Sequence, residues 1–137
     1  MAQTQYAVSG SGAGTDVITC TYQTDAAAAL PTRTIFTAPF ACVVSVVKAI
    51  FDVTAGATST IGIYKASSTT AAGTGGTLIL TAAMDFAGTA RTVLTPALSA
   101  TAADYTLAAG DRLSVAVASG SATGDTAVNI TVALIKS

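Results

Sequence analysis

The chain has 137 residues, 51% of them hydrophobic and only 9% charged, with six Lys and Arg against seven Asp, no Glu and no His, for a net charge of −1. Ordinary soluble domains carry about 25% charge, so this surface is built from Ala, Thr, Ser and Gly and suits contact with other protein; Arg33, Lys48, Lys65, Arg91, Arg112 and Lys136 stand singly and exclude a phosphate-binding face for nucleic acid. Without imidazole or glutamate the usual general bases and nucleophile activators are missing, which argues against an enzyme and against a small-molecule substrate.

Residues 1 to 16 lack apolar periodicity and contain Ser9-Gly-Ser-Gly-Ala-Gly-Thr15, so a flexible N-terminal arm is expected ahead of a single domain over 17 to 137. The arm has neither the basic start nor the apolar run of a secretory signal. Val17 to Tyr22 reads as a first strand. Asp25 to Leu30, capped by Asp25 and stopped by Pro31, allows at most one helical turn. Arg33 to Thr37 is a second strand, ended by Ala38-Pro39.

Phe40 to Val53 reads as the longest strand, with Val43, Val47, Ala49, Phe51 and Val53 on one face and Cys42, Val44, Val46 and Ile50 on the other. A strand apolar on both faces needs cover from another layer or another subunit. The run is shorter than the about 18 residues of a membrane span and is broken by Ser45, Lys48 and Asp52, so no membrane partner is expected. Cys20 and Cys42 form no recognisable disulfide framework and read as two small buried thiols.

Ser59 to Lys65 follows as a strand, Ile61 and Ile63 alternating against Gly62 and Tyr64, and Ala66 to Thr77 as a Ser/Thr/Ala/Gly loop. Gly73-Thr-Gly-Gly76 has no following Lys-Ser/Thr, so it is a loop tip and not a phosphate cradle. Leu78 to Leu80 and Arg91 to Leu94 read as short strands, Pro96 to Asp104 as a loop, and Tyr105 to Leu107 as a short extended piece. Gly110 is suited to the positive φ of a tight turn, with Asp111 accepting backbone N–H groups there. Arg112 to Ala118 and Val128 to Ile135 then read as two long partner strands joined by a turn, with Leu113, Val115, Val117 and Val128, Ile130, Val132, Leu134 facing a core. Asn129-Ile-Thr131 matches a glycosylation sequon but reads as strand. Two Cys supply too few zinc ligands and no Asp-x-Asp-x-Asp run appears, so no metal and no cofactor is expected. About eight strands at a spacing of about 10 residues signal an all-β sandwich or barrel.

The order Ile35-Phe36-Thr37-Ala38-Pro39-Phe40, a long apolar strand, Ile61-Gly-Ile-Tyr-Lys65, Leu78-Ile-Leu80, Leu107-Ala-Ala-Gly-Asp111 and a closing Val-rich strand resembles the jelly-roll decoration, or cement, proteins of tailed-phage capsids. The Gly-Asp turn is also similar to that of other trimeric jelly rolls, such as the C1q and tumour-necrosis-factor domains. The resemblance implies an antiparallel β-sandwich of jelly-roll type. It further implies a homotrimeric knob on the outer capsid surface of a virion made in the host cytoplasm, clamping major capsid protein. Its N-terminal arm would reach along the shell, with Tyr6 and Val8 as contacts. In such a trimer Val44, Val46 and Ile50 are expected at the subunit contact. The alternative is a β-sandwich glycan-binding module on a fibre or spike, for which Tyr6, Tyr22, Tyr64 and Tyr105 are the stacking rings available besides Phe.

Overall fold

The computed structural model of the chain describes residues 17–24, 32–52, 59–86, 90–120 and 127–137, together with the backbone of 3–9. The strands are β1 (Gln3–Ser9), β2 (Val17–Gln23), β3 (Arg33–Thr37), β4 (Cys42–Phe51), β5 (Thr60–Ala66), β6 (Thr77–Leu78), β7 (Met84–Asp85), β8 (Thr106–Leu107), β9 (Arg112–Ser119) and β10 (Val128–Lys136). A 3-10 turn at Gly73–Gly75 and a four-residue helix α1 (Ala102–Tyr105) complete the regular structure.

Two antiparallel sheets result, one in the order β1-β2-β10-β4-β8 and the other in the order β3-β9-β5-β6, with β7 also on β5. The pairs β2–β10, β3–β9, β4–β8 and β5–β6 nest along the chain, and each falls on the opposite sheet from the one before. That is the pairing order of a jelly roll, a long hairpin wrapped into a sandwich, and it agrees with the expected fold class.

The wrap corrects one expectation. β9 and β10 are not partners: β9 pairs with β3 and β5, and β10 with β2 and β4. Their matching alternation belongs to two walls that face each other across the core. From one side Ile18, Cys20, Tyr22, Ile130, Val132 and Leu134 are buried, and from the other Ile61, Ile63, Leu113 and Val115. Phe51 and Phe86 meet edge to face within the same core, ring centroids 5.0 Å apart.

β4 explains its own double apolar pattern. Opposite β10 the register steps so that Ala133 faces Val46 and Leu134 faces Val44, which leaves Ser45 as an extra residue. Ser45 Oγ donates to the Ala133 carbonyl at 3.1 Å. A bulge of this kind reverses the phase of a strand, so Cys42 and Val44 point inward on one side of it and Val47, Ala49 and Phe51 on the other. Val44, expected to face outward with Val46 and Ile50, is 1% exposed and part of the core.

Smaller differences follow from local geometry. Arg91 has φ of 62°, a left-handed conformation foreign to a strand, and of the expected strand 91 to 94 only Leu94 is bridged, to Ala49. Tyr105 ends α1, so the extended piece shortens to β8. Residues 3–9, expected in a flexible arm, run as β1 along β2 from Gln3 opposite Gln23 to Ser9 opposite Val17. Residues 10–16, the turn expected at Asp25 to Leu30 and the end of the long strand at Val53 lie outside the described residues.

Candidate assembly face

The outer faces of the two sheets differ in what covers them. On the second sheet Gly62, Tyr64, Ala66, Ser114 and Ala116 are all buried although they alternate with core residues. The loop between β5 and β6 crosses this face. Gly73 N–H donates to Ser114 Oγ at 2.7 Å, and a Cβ on Gly73, whose φ is 84°, would meet Thr32 Cγ2 at 2.6 Å. The Arg112 guanidinium donates to the carbonyls of Ser67 and Thr70 at 3.1 and 2.5 Å. Lys65 Nζ donates to the carbonyls of Ala103 and Thr106, tying down α1 and the start of β8. Two of the scarce cations therefore hold the chain's own loops.

The first sheet has no such cover among the described residues. Its register sets Val17, Ile135 and Val43 in one row, Thr19, Ala133 and Val46 in the next, then Thr21, Thr131 and Lys48, then Gln23, Asn129 and Ile50. All are half-buried except the exposed Gln23 and Lys48. Val93, 58% exposed, extends the apolar part, since it lines a shallow hollow with Ile50, Lys48 and Asn129. Lys48 is the one charge in these four rows. The face can thus be desolvated at low cost, because few of its groups bind water strongly.

Of the residues expected at a subunit contact, Val46 and Ile50 lie on this face and Val44 does not. Val17, Val43, Ile135 and Val93 join them and were not expected. Val17 and Ile135 are separated by nearly the whole chain, and only the register of β2 on β10 brings them together. Tyr6 stands opposite Cys20 and Val8 opposite Ile18, both core-facing residues of β2, whereas Ala7 and Ser9 stand opposite Thr19 and Val17 of the outer face.

The aromatic set needed for glycan stacking is broken up. Tyr22 is 0% and Tyr64 8% exposed, and Tyr105 is half-buried. Burial pushes the hydroxyls of Tyr22 and Tyr64 to higher pKa. Both cysteines are free and buried, as expected. The Cys20 thiol donates to the Ile35 carbonyl at 2.9 Å, and burial pushes it from 9.0 up to about 12. Cys42 is raised as well, by burial first and by Asp111 second.

The turn expected at Gly110 and Asp111 forms. Gly110 has φ of 88°, and Asp111 Oδ2 accepts the Ala108 N–H at 2.9 Å. Gly110 N–H donates to the Ala38 carbonyl and Ala38 N–H to the Asp111 carbonyl, each at 2.8 Å, so the turn also fixes the corner between β3 and β4. Among the described residues no three His, Cys, Asp or Glu gather as metal ligands, and no helix is long and apolar enough to cross a membrane.

No protein-family model and no curated protein matches the chain. Among solved structures it is similar to a chain in one described as the cyanophage Pam1 capsid asymmetric unit, with a TM-score of 0.54 and 20% identity over 98% of this chain and 95% of that one. At this identity the likeness is one of fold.

Proposed function

We propose that the chain is a structural protein of a phage virion, which decorates and stabilises the capsid as a homotrimeric knob on its outer surface. The observation that carries this reading is the likeness in fold to a chain of a capsid asymmetric unit over nearly the whole length of both. The likeness spans 98% of this chain and 95% of the other, so it is one of the whole domain and not of a single hairpin.

The outer face of the first sheet, uncovered among the described residues, supports the same reading. Val17, Val43, Val46, Ile50, Ile135 and Val93 give it an apolar content that free solvent does not reward, and each 100 Å² of apolar area buried contributes about 2.5 kcal/mol before the costs of association. The face serves contact between copies, with Val46 and Ile50 as its centre. The N-terminal segment, whose residues 3–9 run as β1 at the edge of that sheet, supplies contact with the major capsid protein.

Light scattering across a dilution from about 100 to about 1 μM tests the trimer. Wild type is expected at the mass of three chains, and Val46→Asp at the mass of one. A Val46→Asp variant that stays trimeric means that another surface makes the contact. The virion role is checked separately, on particles of the virus that encodes the chain: the protein copurifies with intact particles and is cleaved there by added protease. Its absence from purified particles refutes the reading.

A further inference from the structure

We infer that the outer edge of β1 is a contact between two copies of this chain, joined by antiparallel pairing of β1 with β1 across a two-fold axis. The argument rests on how the four sheet edges are treated. The sheets end in β1 and β8, and in β3 and β6. β8 and β6 have two residues each, too few to template another strand. β3 is blunted three ways: Arg33 is exposed at its start, its register shifts between Thr34 and Phe36 so that Ile35 forms a bulge, and the Ile35 carbonyl accepts the Cys20 thiol. Charges, bulges and short length are the devices by which proteins block pairing at an edge.

β1 has none of them. Its seven residues, Gln-Thr-Gln-Tyr-Ala-Val-Ser, include no charge and no proline. The ladder on β2 runs through seven consecutive pairs without a shift, and among the described residues no strand lies beyond β1 in the sheet. A straight, uncharged strand presents a row of N–H and C=O groups to whatever extended chain meets it.

A second copy suits this edge. A charged edge would repel its own image, and this one carries nothing to repel. A two-fold axis brings identical edges together antiparallel, the direction of every strand pair recorded within the chain. Such a contact uses the same patch on both sides and closes at two copies. It is separate from the Val46 and Ile50 face and does not depend on the virion reading. In a trimer it would tie one knob to the next, as a weak contact that oxidation traps at about 100 μM while the mass in solution stays that of three chains.

The symmetry makes the proposal sharp. Directly opposed residues of an antiparallel pair lie on the same face, so a two-fold sets one residue of β1 opposite its own copy, with Cβ atoms about 4.5–5.5 Å apart. Single cysteines placed from Thr4 to Val8 in the full chain test this, because the native thiols are buried. After mild oxidation at about 100 μM, one position is expected to give a disulfide-linked pair on a non-reducing gel well above its neighbours. Adding Gln3→Lys with Gln5→Lys to that variant, or Gln3→Lys with Ala7→Lys where position 5 is the linking one, should cut the linked fraction at least tenfold, with the thermal midpoint unchanged. No linkage at any position, or equal linkage at all five, overturns the inference. Loss of trimer or of virion binding leaves this result unaffected, so the two readings fail independently.

Discussion

Gly110 holds φ of 88°, and no heavy atom lies within 4 Å of where its Cβ would stand. Gly110→Ala therefore costs backbone strain without a clash, about 1–2 kcal/mol, seen as a lower denaturant midpoint at unchanged slope. This turn was readable because both of its requirements sit in adjacent residues. Cys20 was readable as a buried thiol, but its consequence for pH needed the surroundings. Its folded pKa, raised from 9.0 to about 12, means that the folded chain holds the proton more tightly than the unfolded one. The resulting stability is complete below pH 9.0 and is lost as pH climbs toward 12, with Tyr22 and Cys42 shifted in the same direction. Urea midpoints from about pH 7 to about pH 11 should fall beyond pH 9.0, and fall less steeply in Cys20→Val. An unchanged slope in that variant would assign the loss to other groups. The tyrosines were beyond reach at this scale, since whether Tyr22 is buried depends on the strands placed opposite it.

Within β4 the strand pattern ran out because Val43, Val44, Val46 and Val47 satisfy both phases of a two-residue period. The bulge at Ser45 decides between them, and it becomes visible only through the register on β10. Two substitutions two residues apart should then behave oppositely. Val44→Asp places a carboxylate in the core and is expected to cost about 4 kcal/mol or more, enough to leave little folded protein in a domain of ordinary stability. Val46→Asp sits on the outer face and should shift monomer stability by about 1 kcal/mol or less. Circular-dichroism melts of the two variants check this, and equal destabilisation would mean that the strand has no bulge. β9 and β10 failed for a related reason: alternation reports which side of a strand is apolar, and it is silent on which sheet the strand joins.

For the whole molecule, the all-β class, a single core and the poverty of charge were legible, whereas the count of about eight strands missed β1 and β7 and included 91 to 94, and the nested pairing was out of reach because it joins residues as distant as Val17 and Ile135. The unequal treatment of the two outer faces follows from that pairing. One face is closed by the chain's own loop under Arg112, and the other, among the described residues, offers four uncovered rows with Lys48 as their one charge. Removing residues 1 to 14 separates the contacts this arrangement supplies. The Val46 and Ile50 face is untouched by the truncation, so light scattering should still find the mass of three chains. Attachment to the shell, which we assign to the N-terminal segment, should weaken, while β2 becomes the new edge of its sheet. Unchanged binding to capsid would remove the segment from that role. A truncated chain that runs as a monomer would place β1 within the subunit contact itself, and would make the outer face and the edge one surface instead of two.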